Sequence, residues 1–315
     1  MVRRLDPLAA EEGARLDLFL AARCPELSRG LIRKVIDLGG VHAGGRRVRR
    51  CSQPVRAGER VELFLDGRPP EIFSIEPEQV IYRDRWLLAV NKPAGVETNP
   101  TPARYKGTLY EALLRYLHNP LRPLDRPELG MVQRLDRDTS GLLVFSIHRQ
   151  AHRPLTVSFR ERLVKKRYRL LAEGLFPERD GEFRSLLARR RTDNRMKSVT
   201  TGGKEAITRF RVLEQFAGAA YLEAEIPTGR SHQIRVHFSE AGHPLLGDDR
   251  YGESLRPSLG CPRLMLHAFS VVFPHPVGGT PLELTAPLPA DMERMLGRLR
   301  EERLPAPGNQ GFNPG

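Results

Sequence analysis

The rhythm of hydrophobic and polar positions changes near residue 70. Before it, Gly13-Ala14-Arg15-Leu16-Asp17 leads into Leu18, Phe19, Leu20 and Ala21, which predict a short apolar helix face. Ser28 is placed to cap a second helix with the stripe Leu31, Ile32, Val35, Ile36 and Leu38, and Gly39-Gly40 stops it. Arg29, Arg33 and Lys34 fall off that stripe, on the solvent side. Short β pieces follow at Val41-His42 and Val61–Leu65, with a Gly44-Gly45 turn between them. The stretch Asp66-Gly67-Arg68-Pro69-Pro70 reads as a linker.

Beyond residue 72, apolar runs predict strands at Leu87–Val90, Leu142–Phe145, Tyr168–Ala172 and Tyr221–Ile226. Helices are expected over Leu109–Leu117 and Ala290–Leu299. The alternation lacks the regular spacing of a doubly wound sheet, so the expected class is α+β with a largely antiparallel sheet. The expected organisation is an arm (1–12), a small α/β domain (13–68), a larger α+β domain (69–300) and a Pro/Gly-rich disordered tail (301–315).

Composition narrows the partner. Lys and Arg number 51 against 38 Asp and Glu, a formal charge of +13, which suits a polyanion. Three basic clusters carry much of the excess: Arg29, Arg33, Lys34, Arg46, Arg47, Arg49 and Arg50; then Arg160, Arg162, Lys165, Lys166, Arg167 and Arg169; then Arg189, Arg190, Arg191, Arg195 and Lys197. A solvated surface explains any one of them, but three clusters favour nucleic acid. Cys24, Cys51 and Cys261 lie far apart without a CxxC pair, as expected of reduced thiols in a cytoplasm. The first twenty residues lack an uninterrupted apolar core and include Asp6, Glu11, Glu12 and Asp17, so they do not read as a signal peptide.

Two segments carry candidate chemistry. Arg134-Leu135-Asp136-Arg137-Asp138-Thr139-Ser140-Gly141 is a charged loop running into the strand Leu142–Phe145, whose burial on both faces would hold Asp136 rigidly. A turn knitted by Arg–Asp pairs is the plain alternative. In Thr228-Gly229-Arg230-Ser231-His232-Gln233-Ile234-Arg235-Val236-His237, Ser231 can cap a helix with the apolar face Ile234, Phe238 and Ala241. That places Arg230 at the helix's positive end. His232, His237 and His243 lack metal-site spacing, and Gly202-Gly203-Lys204-Glu205 lacks the remainder of a phosphate loop.

These segments resemble the RluA-type RNA pseudouridine synthases. The matching blocks are Asn91-Lys92-Pro93-Ala94-Gly95; Arg134-Leu135-Asp136 with Asp138-Thr139-Ser140-Gly141; Lys166-Arg167-Tyr168; Thr228–His237 with Gly242-His243-Pro244 and Gly247-Asp248; and Leu266-His267-Ala268 before Phe273-Pro274-His275-Pro276. They fall in order over roughly residues 75–290. The segment from Arg15-Leu16-Asp17 to Ile36 is similar to a small RNA-binding domain shared with a small-subunit ribosomal protein, although His42-Ala43-Gly44-Gly45 stands where Val-Asn-Gly is usual.

The resemblance implies a pseudouridine-synthase catalytic domain that isomerises uridine in structured RNA without metal or cofactor, and no obligate protein partner. Asp136 would be the covalent carboxylate, Arg230 its cation, Tyr168 the ring stacked on the uracil, and Arg134 the side chain filling the space left by the flipped nucleotide. The family's usual His before Arg-Leu-Asp is Gln133 here. Large-subunit ribosomal RNA is the favoured substrate and transfer RNA the alternative. Two rivals remain: a non-catalytic RNA-binding or ribosome-assembly protein on the same fold, and a hydrolase using Asp136 and Asp138.

Overall fold

The computed structural model describes residues 1–252 and 260–302. The chain divides into two compact units, one of Met1–Gln79 and Val96–Leu129, the other of Val80–Gly95 and the chain from Gly130 onward.

The first unit contains β1 (Val2–Leu5), α1 (Leu16–Arg23), α2 (Arg29–Leu38), β2 (Val41–Ala43), β3 (Arg46–Val48), β4 (Val61–Phe64) and α3 (Leu109–Leu117). Its four strands form one antiparallel sheet in the order β1-β4-β2-β3. Leu16, Phe19, Leu20, Ile32 and Ile36 from the helices form one core with Val41, Val61 and Leu63 from the strands. The α2 boundaries follow from sequence as expected: the Ser28 hydroxyl accepts the Leu31 amide at 3.2 Å, and Gly39 ends the helix at φ 91°.

Two expectations for this unit change. Residues 2–5, expected within a free arm, pair with β4 as an edge strand too short to show alternation. The expected linker is pinned: Arg104 donates to Asp66 at 3.0 Å, to the Pro69 carbonyl at 2.9 Å and to the Glu71 carbonyl at 3.1 Å. Arg68 pairs with Glu97 and Lys106 with Asp37. Residues 96–129 therefore belong with the N-terminal segment. Boundaries drawn along the chain miss this, because the excursion is interrupted by strands of the other unit.

The second unit contains β5 (Val80–Arg83), β6 (Leu87–Lys92), β7 (Gly130–Met131), β8 (Ser140–Ser146), α4 (Arg149–Arg160), β9 (Lys165–Glu173), β10 (Asp180–Arg189), β11 (Met196–Val199), β12 (Lys204–Gln215), β13 (Ala219–Glu225), α5 (Gln233–Glu240), β14 (Leu266–Pro274), β15 (Pro281–Thr285) and α6 (Ala290–Glu301). One sheet runs β11-β10-β12-β13-β9-β14-β8-β6-β5, with β15 beside β14 and β7 beside β8. Every pairing is antiparallel except β8 with β14, so the sheet is mixed and mainly antiparallel, as the α+β reading expected. The whole of β8 is buried. Its parallel partner comes so close that a Cβ on Gly141, at φ 116°, would lie 2.3 Å from the Ala268 carbonyl oxygen. Helix α6 lays Met292, Met295, Leu296 and Leu299 against Leu171, Phe216 and Tyr221. The tail expected to be disordered lies, from residue 303, outside the described residues.

Strands β10 to β12 escape the hydrophobic pattern because charged side chains alternate along them. Arg184 and Arg209 pair with Glu182, Arg167 with Glu225, Arg169 with Glu223, and Arg162 with Glu205. Arg190 and Arg195 share Asp193. The second cluster is thus partly neutralised by carboxylates distant in sequence, and the third by the nearby Asp193. Arg33, Lys34, Arg46, Arg49 and Arg50 are exposed and have no carboxylate partner among the described residues.

His267 on β14 is fully buried, with Nδ1 2.9 Å from the Ser140 hydroxyl and Nε2 3.4 Å from the Ala286 carbonyl. Burial pushes its pKa down to about 4. The unfolded chain takes up that proton near pH 6.5 and the folded chain only near 4. Stability carried by the neutral ring is therefore whole above 6.5 and drains as pH falls towards 4, at up to roughly 1.4 kcal/mol per pH unit. Urea unfolding across this range should show a shallower pH slope for His267→Gln than for the wild type.

Candidate active site

Asp136 lies in the loop between β7 and β8, and this loop is held from behind. The ammonium of the fully buried Lys92, at the end of β6, donates to the Arg137 carbonyl at 2.9 Å and to the Pro93 carbonyl at 2.8 Å. The Gly95 amide donates to the same Arg137 carbonyl at 2.9 Å. Arg137 and Asp138 pair with each other, and the Thr139 amide closes the turn onto the Asp136 carbonyl. These contacts fix the backbone on which the Asp136 carboxylate stands, with its side chain still partly open to solvent.

The cation at that carboxylate is Arg235. Its Nη1 lies 3.3 Å from Asp136 Oδ2, while Nε and Nη2 hold Asp248 in a two-pronged pair at 2.8 and 2.7 Å. Burial would raise the Asp248 carboxyl, but Arg235 and the Arg250 and Tyr251 amides outweigh it and hold its pKa below the usual range. Burial opposes the Arg235 charge as well, yet Asp248 and Asp136 hold the guanidinium firmly protonated. A buried guanidinium is tolerable only when paired, and here two carboxylates share it.

Arg230, expected in that role, is elsewhere. Its Nε donates to the Glu205 carbonyl at 2.8 Å, and it makes no hydrogen bond or ion pair with Asp136. Nor does Ser231 cap α5. His232 occupies the cap position with a left-handed backbone (φ 53°), and the Ser231 hydroxyl instead accepts from Arg134 at 2.8 Å. That hydrogen bond joins the loop of Arg134 and Asp136 to the loop of Arg230. Gln133 has a buried side-chain nitrogen with no partner.

Tyr168 on β9 is nearly buried, and its hydroxyl pKa is driven well up, first by burial and then by the Asp136 charge. It is a neutral phenol beside the carboxylate. As a base it would have to give up a proton held more firmly than usual, whereas its ring is free to serve as an apolar face.

The turn before α5 completes the arrangement. His232 Nε2 lies 3.6 Å from Asp136 Oδ1, and Nδ1 lies 2.7 Å from the Tyr251 hydroxyl. The Met196 amide donates to that hydroxyl oxygen at 2.9 Å. A bare ring nitrogen facing a carboxylate would be repelled, so the proton sits on Nε2 and the Tyr251 hydroxyl donates to Nδ1. Burial keeps the pKa of His232 low, and the ring neutral. The other two candidate histidines are structural. His237 bonds Thr208 and Ser185 across to β12 and β10, and His243 bonds the Glu173 carbonyl and stacks on Phe176.

Comparison with known proteins identifies the family. The profile of the family described as RNA pseudouridylate synthase matches residues 86–240. An "Uncharacterized RNA pseudouridine synthase" of Aquifex aeolicus is 38% identical over 282 residues, covering 85% of this chain and 88% of that protein. The chain belongs to the RNA pseudouridine synthase family. Ribosomal large subunit pseudouridine synthase D of Neisseria meningitidis is 37% identical, covering 92% of this chain and 80% of that one. The solved structure of Human RNA Pseudouridylate Synthase Domain Containing 1 superposes with a TM-score of 0.54 at 26% identity, covering 74% of this chain and all of that one. As a pseudouridine synthase of the RluA type, the protein is an isomerase that acts on RNA.

Three residues beside Asp136 or its cation were not singled out from sequence, Arg235, Asp248 and Tyr251, and His232 was considered only as a metal ligand. A signal for Arg235 existed, because it interrupts the otherwise apolar turn Ile234–Phe238, and a charge inside a buried helix requires a carboxylate. Tyr251→Phe removes the hydroxyl that fixes the His232 tautomer while keeping the ring. Turnover should fall about tenfold, with stability changed by only about 1 kcal/mol, as checked by single-turnover kinetics and urea unfolding.

Proposed function

We propose that this enzyme isomerises specific uridines in large-subunit ribosomal RNA, with Asp136 as the covalent catalyst. The observation that carries the reading is a carboxylate on a rigid loop, 3.3 Å from a buried guanidinium and flanked by a buried phenol. Such a carboxylate can bond to ribose C1′ as the bond to uracil N1 breaks, hold that ester while the base turns, and be expelled when C5 bonds to C1′, the C5 proton being lost and N1 taking one up, so that one difficult exchange becomes two easier steps. Arg235 stabilises the charge that returns to Asp136 each time the adduct breaks. The Tyr168 ring offers a surface on which an extruded uracil can stack, and Arg134 is placed beside the site to fill the gap left in the RNA.

Two observations favour ribosomal RNA. Relatives 34–37% identical over more than nine-tenths of this chain are named ribosomal large subunit pseudouridine synthases C and D. The first unit also exposes Arg33, Lys34, Arg46, Arg49 and Arg50 without carboxylate partners, as a surface that grips phosphates would. No helix among the described residues is long and apolar enough to cross a membrane, and we place the enzyme with its RNA in the cytoplasm.

Pseudouridines mapped across total RNA, with the gene present and deleted, test the reading. One or a few positions in large-subunit ribosomal RNA should disappear on deletion, return with the wild-type gene and stay absent with Asp136→Asn. Positions lost only from transfer RNA would overturn the substrate. Full restoration by Asp136→Asn would overturn the mechanism.

A further inference from the structure

Lys166 is the second residue of β9, and strand alternation puts it on the same face as Tyr168, two residues on. It is half-buried, and its ammonium reaches the loop before α5: a Cβ on Gly229 would lie 3.4 Å from Nζ. Two guanidiniums, of Arg230 and Arg162, act on it electrostatically. No carboxylate or carbonyl among the described residues accepts a hydrogen bond or ion pair from it. Burial and these two neighbours depress its pKa to about 8.

Arg230 shows the same want of a partner. The Glu205 carbonyl takes its Nε, which fixes the plane of the guanidinium, and neither terminal nitrogen has a partner among the described residues. Arg162, by contrast, has the Glu205 carboxylate at 3.5 Å. Several other arginines on this sheet, Arg167, Arg169, Arg184 and Arg209, are matched with glutamates. Beside the candidate active site a lysine and an arginine are brought together against their mutual repulsion with nothing between them. Such a pair is stable in a fold when an anion completes it.

The hydrogen bond from Arg134 to Ser231, next in sequence to Arg230, ties this cation pair to the Asp136 loop. An anchored guanidinium presents a planar fork and an ammonium a point charge, a combination that suits the two free oxygens of a phosphodiester. We propose that Lys166 and Arg230 form a subsite that grips a backbone phosphodiester of the RNA next to the uridine presented to Asp136. This inference rests on the proposed function, with Arg230 serving as a substrate clamp.

The test is binding of a short fluorescein-labelled oligouridylate to the full chain, followed by anisotropy over a range of KCl concentrations. Lys166→Met should weaken binding about tenfold at low salt and lower the slope of log Kd against log salt by about 0.7, the value for one phosphate contact on a single strand. Lys166→Arg should restore most of both, which shows that the charge matters and that the fold is intact. Lys165→Met removes an exposed charge from the opposite face of the strand and should change the slope less. A slope for Lys166→Met equal to that of the wild type, or no larger in its change than that of Lys165→Met, would overturn the subsite. Inorganic phosphate, added at constant ionic strength, should compete only weakly; strong competition together with an unchanged RNA slope would assign the site to free phosphate and overturn the RNA assignment. Pseudouridine formation is read separately. A lowered slope in a protein that forms no pseudouridine upholds the subsite and defeats the enzymatic reading, whereas pseudouridine formation with an unchanged slope does the opposite.

Discussion

The sharing of Arg235 between Asp248 and Asp136 is the constraint around which the second unit is organised. A guanidinium inside a buried helix turn is costly unless its donors are matched. The pair with Asp248 uses one edge of the fork and leaves Nη1 for the loop carboxylate. Asp248 is in turn oriented by the Arg250 and Tyr251 amides, and Tyr251 both packs on Arg235 and holds His232. The carboxylate thus meets a cation that is already oriented and largely buried, an arrangement that would need little rearrangement in the covalent step proposed for Asp136.

Sequence alone revealed the site's location more readily than its wiring. Residue pattern alone marks Asp136 as a carboxylate on a loop that runs into a continuous apolar strand; the roles of Tyr168 and of Arg230 as its cation come from the resemblance to the RluA-type synthases. Arg235 takes that place because α5 packs on β10, β11 and β12 and carries Arg235 to the loop before β8, an arrangement that no local pattern encodes. The Ser231 cap failed for a related reason: His232 takes the left-handed position, and the Ser231 hydroxyl accepts from Arg134, 97 residues away in sequence.

The fold shows a similar division. Helix α2 carries its start and stop signals locally, in Ser28 and Gly39, whereas α3 was expected from its apolar stretch alone and α6 runs two residues past the expected Leu299. Strands β10 to β12 were missed because alternating Arg and Glu resemble a solvated loop until the strands are laid side by side. The same pairing revises the charge reading. Part of the basic excess in the second unit is consumed by carboxylates, and Lys166 and Arg230, drawn in beside the candidate site without one, differ from that background.

The parallel pairing of β8 with β14 also bears on how the protein is made. Ser140 lies opposite His267, so β8, already paired with the earlier strand β6, gains its parallel neighbour only after more than a hundred further residues have been synthesised. Contacts of such long sequence separation form late and slowly. The Asp136 loop can thus be braced by Lys92 and Gly95 early in synthesis, while the far side of β8 is closed only when β14 has been made.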